Sequence, residues 1–236
     1  MTEELFLEDA YLREFEARIV KNAGRELTLN RTAFYPGGGG QPPDKGRVGI
    51  GPVEAGVVDV KRRDGEIVHV LDSPIPETVE NITATLDWDR RFAHMRYHTA
   101  LHVLSAVIWQ NLDAKVTGGK MKANGARMDF SFPGEWTTEV VDEIERLANQ
   151  ALSGNHPVSV YELPREEVSQ DPDLIRTRVE RVPECGSTVR IVEIEGLDAQ
   201  ADGGTHVANT QEVGTLSLTD HESKGRENKR IGFVLR

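Results

Sequence analysis

Two short strings in this chain each place two possible metal ligands four residues apart. They are HTALH at 98–102 and DGGTH at 202–206, which together offer three imidazoles and one carboxylate. Such a set is enough to hold a single divalent zinc ion. A metal that polarises a carbonyl or activates water would make the chain a hydrolase, so the spacing predicts a metal-dependent enzyme.

The first string has to be positioned by a helix. Apolar residues recur at helical spacing over 87–112, no Gly or Pro interrupts them, and an Asp near the start can serve as N-cap. Side chains four residues apart lie on one helical face, about 6 Å apart along the axis, so His98 and His102 could share one ion. Thr99 stands where zinc peptidases carry a Glu as general base, which argues against a zinc peptidase. On spacing alone, both histidines could equally be ordinary, partly buried helix residues.

The second string is predicted to be a loop at the end of a strand. It follows the β-rich run 188–194, and loops at strand ends are common places for functional sites. Gly203 and Gly204 permit backbone angles that are closed to other residues, so the chain can fold back sharply. That fold would let Asp202 and His206 point at one centre. The alternative is an ordinary turn without a ligand.

The two strings resemble the paired zinc motifs of the alanyl-tRNA synthetase editing domain, whose second motif usually reads CGGTH. The segment TAFYPGGGGQP at 32–42 is similar to the glycine-rich stretch upstream of the zinc helix in such proteins. Further matches follow in the order that the family keeps, at 127–130, 189–192 and 207–214. A chain of 236 residues leaves no room for the aminoacylation and tRNA-recognition domains of a synthetase. It therefore resembles a freestanding editing protein of the AlaX family, of the medium-length AlaX-M type.

The resemblance implies a function and a ligand set. Members of the family hydrolyse the ester of tRNA(Ala) that is wrongly charged with serine, and some also act on glycine. The implied zinc ligands here are His98, His102, His206 and Asp202. Asp202 stands where the family usually has Cys, and a carboxylate is a harder donor that should bind zinc more weakly. It could be the fourth ligand, a base, or the partner of a ligand, and Cys185, the single thiol, is a minor candidate ligand.

Other candidates concern catalysis and the amino-acid pocket. Thr32 and the glycines 37–40 are expected to face that pocket, because glycines let a backbone approach a ligand and a hydroxyl can recognise the hydroxyl of serine. Thr99 adjoins a metal ligand and could donate a hydrogen bond there. Asp202, Thr32 and Thr99 are thus the catalytic candidates, and no general base emerges. The alternatives are that the tetraglycine (Gly37, Gly38, Gly39 and Gly40) is only a flexible turn and that Thr99 caps its own backbone.

The charge of the chain restricts how it could bind RNA. The net charge of −11 argues against general affinity for nucleic acid, so a tRNA partner would need local basic clusters. The C-terminal cluster of Lys224, Arg226, Lys229 and Arg230 is favoured, because it lies between two β-like runs, as a basic loop tip would. The other clusters are 61–63, Arg90-Arg91 with Arg96, and Lys115 with Lys120 and Lys122. Each could instead be an ordinary solvated patch.

The pattern of elements predicts an α+β fold in two domains. Residues 1–87 read as short strands between turns and are expected to form a small β-barrel. Residues 88–236 are expected to form a zinc-binding editing domain, with helices packed on a mainly antiparallel sheet. A second helix is expected over 137–152, capped by Thr137 or Thr138. The expected strands are 12–22, 25–32, 53–60, 67–71, 81–87, 126–132, 158–163, 188–195, 214–218 and 231–235.

Composition sets the remaining limits. A single Cys excludes an internal disulfide framework and suits a reducing compartment. No apolar stretch approaches the roughly 20 residues that span a bilayer, and the acidic start of the chain lacks a signal-peptide pattern. We therefore expect a cytoplasmic protein without a membrane partner. Two function classes stay open, a zinc-dependent aminoacyl-tRNA deacylase and a tRNA- or protein-binding module whose metal is purely structural.

Overall fold

The computed structural model describes residues 2–171, 174 and 186–236. The chain forms two compact units, Met1–His94 and Met95–Arg236. The two units divide inside a helix, after His94. The sequence pattern predicts the domain boundary at residue 87. The fold is α+β with a closed barrel, as predicted. None of the helices in the described part of the chain is long and apolar enough to cross a lipid bilayer.

The first unit is built around a closed six-stranded antiparallel barrel with the strand order β2-β3-β7-β6-β5-β8. Its elements are β1 Glu3–Glu4, α1 Leu5–Glu8, β2 Glu14–Asn22, β3 Glu26–Leu29, β4 Arg31–Thr32, β5 Gly46–Ile50, β6 Val53–Arg63, β7 Glu66–Leu71 and β8 Asn81–Leu86. Alternate residues of β8 are buried, as expected for a strand with one face on a core. Leu27, Leu29 and Phe34 are among the fully buried core side chains.

Two strand predictions in the barrel need correction. The predicted strand over 25–32 is two strands, because β4 leaves the barrel and pairs with β1 in parallel. Strand β5 was not predicted, since its two glycines weaken the strand pattern. Both glycines are required by close packing of backbones. A Cβ at Gly46 would lie 2.2 Å from the Thr85 carbonyl oxygen, and one at Gly49 would lie 2.3 Å from that of Val53.

The second unit contains most of helix α2, Trp88–Leu112, which the sequence pattern predicts over 87–112. Asp87 accepts a hydrogen bond from the Arg90 N–H (3.2 Å) and so caps the helix, as expected. Within it, Ala100 and Ala106 are completely buried. The following elements are β9 Lys115–Lys122, β10 Gly125–Ser131, α3 Thr138–Ser153, β11 Val158–Pro164, α4 Arg165–Gln170, β12 Thr188–Ile194, β13 Asp198–Ala201, a short 3-10 helix Thr210–Val213, β14 Leu216–Ser223 and β15 Asn228–Leu235.

Two antiparallel sheets organise this unit, a four-stranded one in the order β14-β15-β10-β9 and a three-stranded one in the order β11-β12-β13. Helix α2 packs on the first sheet, where the Tyr97 hydroxyl accepts a hydrogen bond from the Leu235 N–H (3.1 Å). The Tyr97 ring also lies 5.8 Å from the ring of Phe233. Helix α3 begins at Thr137, whose hydroxyl accepts a hydrogen bond from the Val140 N–H, which confirms the predicted cap. Helices on an antiparallel sheet are thus confirmed.

Two strands of this unit were not predicted. β9 contains Gly118 and Gly119, which read as a turn in the sequence, yet both lie in the strand opposite β10. β13 consists of Asp, Ala, Gln and Ala, which are poor strand formers, and it exists because it pairs with β12. The DGGTH loop therefore follows β13, whereas the sequence pattern places it directly after the run 188–194.

Candidate metal centre

Four side chains from the two strings converge on one point. His98, His102, Asp202 and His206 each offer one ligand atom, and these atoms all lie within 4.8 Å of one another. The Asp202 carboxylate lies between two of the rings, with Oδ1 at 3.5 Å from His98 Nε2 and Oδ2 at 3.1 Å from His206 Nε2. The rings of His98 and His206 stack with their centroids 4.4 Å apart. Two segments far apart in sequence thus build one compact group.

The local fold explains how each pair is aimed. On α2, the i and i+4 spacing of His98 and His102 places both rings on one helical face. In the loop, Asp202 Oδ2 accepts a hydrogen bond from the Gly204 N–H (2.6 Å), and this closes a tight side-chain turn. Gly203 and Gly204 are not among the described glycines with positive φ, and the turn brings Asp202 and His206 to one centre, as predicted.

The rings of two of the histidines, His102 and His206, are held by a contact to their Nδ1 atom. His102 Nδ1 lies 3.2 Å from Asp198 Oδ2, and Gln200 Nε2 donates to the same oxygen at 2.8 Å. Because a carboxylate only accepts, His102 Nδ1 carries the proton and Nε2 keeps its lone pair. A carboxylate behind a ligand histidine is the usual way to fix the tautomer and orientation of the ring. The sequence pattern missed Asp198, since it lies in the unpredicted strand β13.

Thr99 holds the third ring. Its Oγ1 lies 3.1 Å from His206 Nδ1 and accepts a hydrogen bond from the Val207 N–H at 3.3 Å. His206 Nε2 faces Asp202, so the hydroxyl lies on the far side of the ring from the shared centre. Thr99 is completely buried. The described contacts of Thr99 therefore orient His206. The catalytic role that the sequence suggests for Thr99 stays a prediction.

Burial sets the charges in the group. It lowers the pKa of His98 to about 4 and the pKa of His206 well below its usual value, so both rings are neutral at pH 7. Burial opposes ionisation of Asp202, but the interactions with His98 and His206 outweigh it and hold the pKa of Asp202 well below 3.8. The group thus combines the neutral imidazoles of His98 and His206 with an ionised carboxylate.

This arrangement fits a divalent cation. A tetrahedral ion with bonds of about 2.0–2.1 Å needs ligand atoms about 3.3 Å apart. Asp202 Oδ2 lies 3.1 Å from His206 Nε2 and Oδ1 lies 3.5 Å from His98 Nε2, and the four ligand atoms all lie within 4.8 Å of one another. A cation at the centre would place a full positive charge directly beside the half-buried, ionised Asp202 carboxylate. Three imidazoles suit zinc, and the hard carboxylate oxygen also suits other divalent metals. The four residues could therefore hold a metal ion, and Cys185, the minor candidate, lies outside the described residues.

The tetraglycine lies in the first unit and forms a tight turn. Gly37, Gly38, Gly39 and Gly40 all have positive φ, at 80°, 139°, 55° and 88°. Gly38 and Gln41 exchange two backbone hydrogen bonds of 3.0 and 2.8 Å, so Gly39 and Gly40 form the two-residue tip of a hairpin. Left-handed angles at four successive positions explain why the segment consists of glycine. They leave its predicted contact with an amino acid untested.

A buried ion pair fixes both ends of this segment. Arg91 is completely buried, and its Nε donates to Asp44 Oδ2 at 2.9 Å. The same oxygen accepts a hydrogen bond from the Tyr35 N–H at 2.7 Å. Arg91 also donates to the backbone oxygens of Ala10 and Ala33. Because loss of one partner of a buried ion pair typically costs about 3–5 kcal/mol, this pair holds the loop against the start of α2.

Thr32 is also buried in the first unit, where it contacts a histidine that the sequence pattern did not single out. Thr32 Oγ1 lies 2.8 Å from His69 Nε2 and accepts a hydrogen bond from the Phe34 N–H at 3.1 Å. His69 Nδ1 lies 3.2 Å from the Leu27 oxygen and must donate to it. His69 Nε2 is then the acceptor for the Thr32 hydroxyl proton. Burial lowers the pKa of His69 to about 4, so the ring is neutral.

The favoured basic cluster is largely occupied by internal contacts. Lys229 is buried, and its Nζ donates to Ser223 Oγ at 2.8 Å. Arg230 forms a two-pronged ion pair with Asp129, at 2.5 and 2.7 Å. Lys224 Nζ lies 2.5 Å from Glu222 Oε2. The expected hairpin tip exists between β14 and β15, but two of its four cations, Lys224 and Arg230, are paired with carboxylates of the protein and a third, Lys229, is buried.

Comparisons with known proteins agree with this organisation. Residues 189–232 match the family model described as the threonyl and alanyl tRNA synthetase second additional domain. Residues 6–90 match the model of the class II (A) tRNA synthetases. The first match contains the second metal string, and the second contains the barrel and the tetraglycine.

Whole proteins also match. The alanyl-tRNA editing protein AlaX-M of Saccharolobus solfataricus is 40% identical over the full length of both chains. The AlaX-M protein of Methanosarcina acetivorans is 37% identical over all of this chain and 99% of its own. The alanine–tRNA ligase of Pyrococcus abyssi is 38% identical over 99% of this chain but only 26% of the ligase. Because the two AlaX-M proteins are 40% and 37% identical over the whole of this chain, the chain belongs to the AlaX-M family of alanyl-tRNA editing proteins.

Proposed function

We propose that the protein is a metal-dependent deacylase that edits mischarged tRNA(Ala) without the rest of a synthetase. Its main substrate would be Ser-tRNA(Ala), with Gly-tRNA(Ala) as a second one. The observation that carries the proposal is the buried group of three histidines and one carboxylate. The names of its relatives support alanyl-tRNA editing as the biological task. Because that substrate is made during protein synthesis, the proposed place of work is the cytoplasm.

The reaction needs little from the protein. Water attacks the carbonyl carbon of the aminoacyl ester, the bond to the terminal ribose oxygen breaks, and a free amino acid and an uncharged tRNA leave. An aminoacyl ester is already activated, so holding it beside a water contributes most of what is required. A zinc ion held by His98, His102, His206 and Asp202 would supply Lewis acidity, and would lower the pKa of water.

The chain's own residues prepare this site. Asp198 and Thr99 hold two rings so that their Nε2 atoms face the centre. The Asp202 side chain is 13% exposed, more than the 4% of His98 and the 2% of His206, so solvent reaches the group beside the carboxylate. Asp202 is ionised and lies at this opening, so it could accept a proton from water or complete the ligand set. We assign it both roles until its variants separate them.

One observation favours a second function. Four protein groups could fill every position of a tetrahedral ion, as in closed structural sites. In that case, the protein would be a tRNA- or protein-binding module that the metal only stabilises. A structural metal predicts that Asp202→Ala weakens folding, whereas a catalytic one predicts that the variant folds and loses activity.

Deacylation assays test the proposal. We expect the parent to hydrolyse Ser-tRNA(Ala) and to spare Ala-tRNA(Ala), and we expect His102→Ala and Asp202→Ala to lose at least about a hundredfold in rate. A chelator should abolish the activity, and added zinc should restore it. His221→Ala, a change at an exposed histidine of the same unit, is the matched control. Full activity of His102→Ala would overturn the assignment of a metal-dependent hydrolase.

A further inference from the structure

One exposed group of cations on the strand pair β9–β10 forms no ion pair among the described residues. In other basic clusters, Lys61, Arg62 and Arg63 pair with Asp59, Glu4 and Glu26. Arg91 pairs with Asp44 inside the first unit, and Lys224 and Arg230 pair with Glu222 and Asp129. We call the group without ion pairs the β9–β10 basic face. Its members are Lys120, Lys122 and Arg127.

The register of the sheet places these three on one face. Lys120 lies opposite Arg127, and Lys122 lies opposite Gly125. Directly opposite residues share a face, and so do alternate residues of β10. The pairs at residues 125 and 127 therefore place the three cations on one side of the sheet, over a length of about 7 Å at about 3.3 Å per residue. All three cations are exposed. Lys115 lies apart from them, because its Nζ is 5.6 Å from the centre of the Trp109 ring of α2.

The other side of the sheet is the core side. Met128 and Phe130 alternate with Arg127 on β10, and both are buried. Phe233 contacts Tyr97 of α2 on that side. The β9–β10 basic face thus points away from the helix that carries His98 and His102. An RNA bound there would contact the protein through its body, and only its single-stranded end would reach the metal centre.

The arrangement of the charges favours an anionic partner. Lys120 and Arg127 are directly opposite each other, and like charges in that position destabilise a sheet. Two acids share this face: Asp129 is bound by Arg230, and the Asp220 carboxylate lies over Gly232, in the same cross-strand row as Arg127. Charged side chains on an edge strand can also simply prevent strand pairing between molecules. That role requires charge on β9 alone, and it does not require the cation on the inner strand β10.

We propose that the β9–β10 basic face binds the phosphate backbone of the tRNA body. This inference rests on the proposed function for the identity of the RNA. A phosphate backbone fits because its closely spaced negative charges can meet the three neighbouring cations at once. The contacts are to phosphates, so they add affinity without reading the sequence of the tRNA.

The test uses a triple variant, Lys120→Ala with Lys122→Ala and Arg127→Ala. Its matched control, Lys61→Ala with Arg62→Ala and Arg63→Ala, changes the net charge by the same amount on paired cations of the barrel. Each protein is assayed with Ser-tRNA(Ala) and with 3′-seryl-adenosine, which lacks the tRNA body. We expect the first variant to raise the KM for Ser-tRNA(Ala) at least about tenfold near 0.1 M salt and to lower the salt slope by about two to three. Its kcat with tRNA and its kcat/KM for the small ester should stay within about twofold of the parent values.

The outcomes separate the two proposals. An unchanged KM and salt slope in the first variant, or an equal loss in the control, would overturn the tRNA surface. Loss of activity on the small ester would show damage to the fold, and Lys122→Glu, a single exposed change, would then replace the triple variant. If the parent hydrolyses neither substrate, the proposed function fails. The surface would then be judged by the direct binding of uncharged tRNA(Ala) to the parent and the variants.

Discussion

Buried histidines occur in both units, and their two ring nitrogens are used differently. In the barrel, His69 donates from Nδ1 to the Leu27 oxygen and accepts at Nε2 from Thr32, so both nitrogens serve the fold. In the second unit, Asp198 and Thr99 contact Nδ1 of His102 and His206, and Nε2 of His206 faces the Asp202 carboxylate of the shared centre at 3.1 Å. Burial lowers the pKa in both places, to about 4 for His69 and for His98. The lowered pKa therefore does not identify a ligand, and the direction of Nε2 does.

The largest effect on zinc affinity should come from removing one of the histidine rings of the metal centre. His206→Ala should raise the dissociation constant of zinc at least about a hundredfold, because one of four ligands is lost from a site worth about 10–16 kcal/mol. Competition with a chromophoric chelator measures it. His221→Ala should leave the constant unchanged. If His206→Ala binds zinc as the parent does, the contrast between the two kinds of histidine is wrong.

A smaller loss of zinc affinity should follow when the His102 ring stays but its hydrogen-bond partner is changed. Asp198→Asn keeps the size of the side chain and removes the charge that holds His102 Nδ1–H. We expect zinc affinity to fall about tenfold to a hundredfold, as is typical of partners behind ligand histidines. Asp220→Asn, an exposed change on β14, is the control. An unchanged zinc affinity in Asp198→Asn would remove Asp198 from the metal centre.

The uncharged hydroxyl of Thr99, which contacts His206, should contribute less to zinc affinity than Asp198 does. Thr99→Val deletes a hydroxyl that contacts His206 Nδ1 and the Val207 N–H, which corresponds to about 1 kcal/mol and a roughly fivefold loss of zinc affinity. With zinc saturating, kcat should then approach the parent value. A large fall in kcat at saturating zinc would instead assign Thr99 the catalytic role that its sequence position suggests.

The histidine of the first kind should not affect metal binding. We expect His69→Gln to bind zinc like the parent and to differ only in the pH dependence of stability. The folded pKa of His69, about 4, lies below the unfolded value near 6.5, so the unfolded state takes up the proton first as the pH falls. The stability that the neutral His69 ring contributes is therefore present above about pH 6.5. It is lost as the pH falls towards 4, by roughly 3 kcal/mol.

Urea denaturation at pH 7.5 and pH 4.5 measures this loss. The parent should lose more free energy of unfolding between the two pH values than His69→Gln does. Equal losses in the two proteins would mean that His69 is protonated as readily in the folded barrel as in the unfolded chain.

The sequence alone predicts the parts of the site that depend on local periodicity. Helical spacing locates His98 and His102 on α2, and the repeated four-residue spacing identifies Asp202 and His206 as their partners. The barrel architecture of the first unit and the α+β architecture of the second also follow from the strand and helix patterns. These features depend on residues close in sequence, whose geometry an isolated segment already determines.

The missed features depend on contacts between distant segments. Asp198 lies in a strand without β-branched residues that exists through its pairing with β12, so neither the strand nor its carboxylate was predicted. Lys120 follows two glycines that read as a turn, and only the pairing with β10 reveals that it lies opposite Arg127. His69 is a single histidine in an alternating strand. Nothing local marks its contact with Thr32, which is 37 positions away.

The completely buried alanines have a further consequence under the proposed function. Ala33, Ala84, Ala100, Ala106 and Ala148 have no exposed surface. When Ser-tRNA(Ala) escapes editing, serine enters proteins at alanine codons, including those of this chain. Each hydroxyl buried there without a partner would cost about 1–3 kcal/mol. The editing factor would thus be made less stable by the same error that it removes, so that a fall in its activity would lower the quality of its own newly made copies.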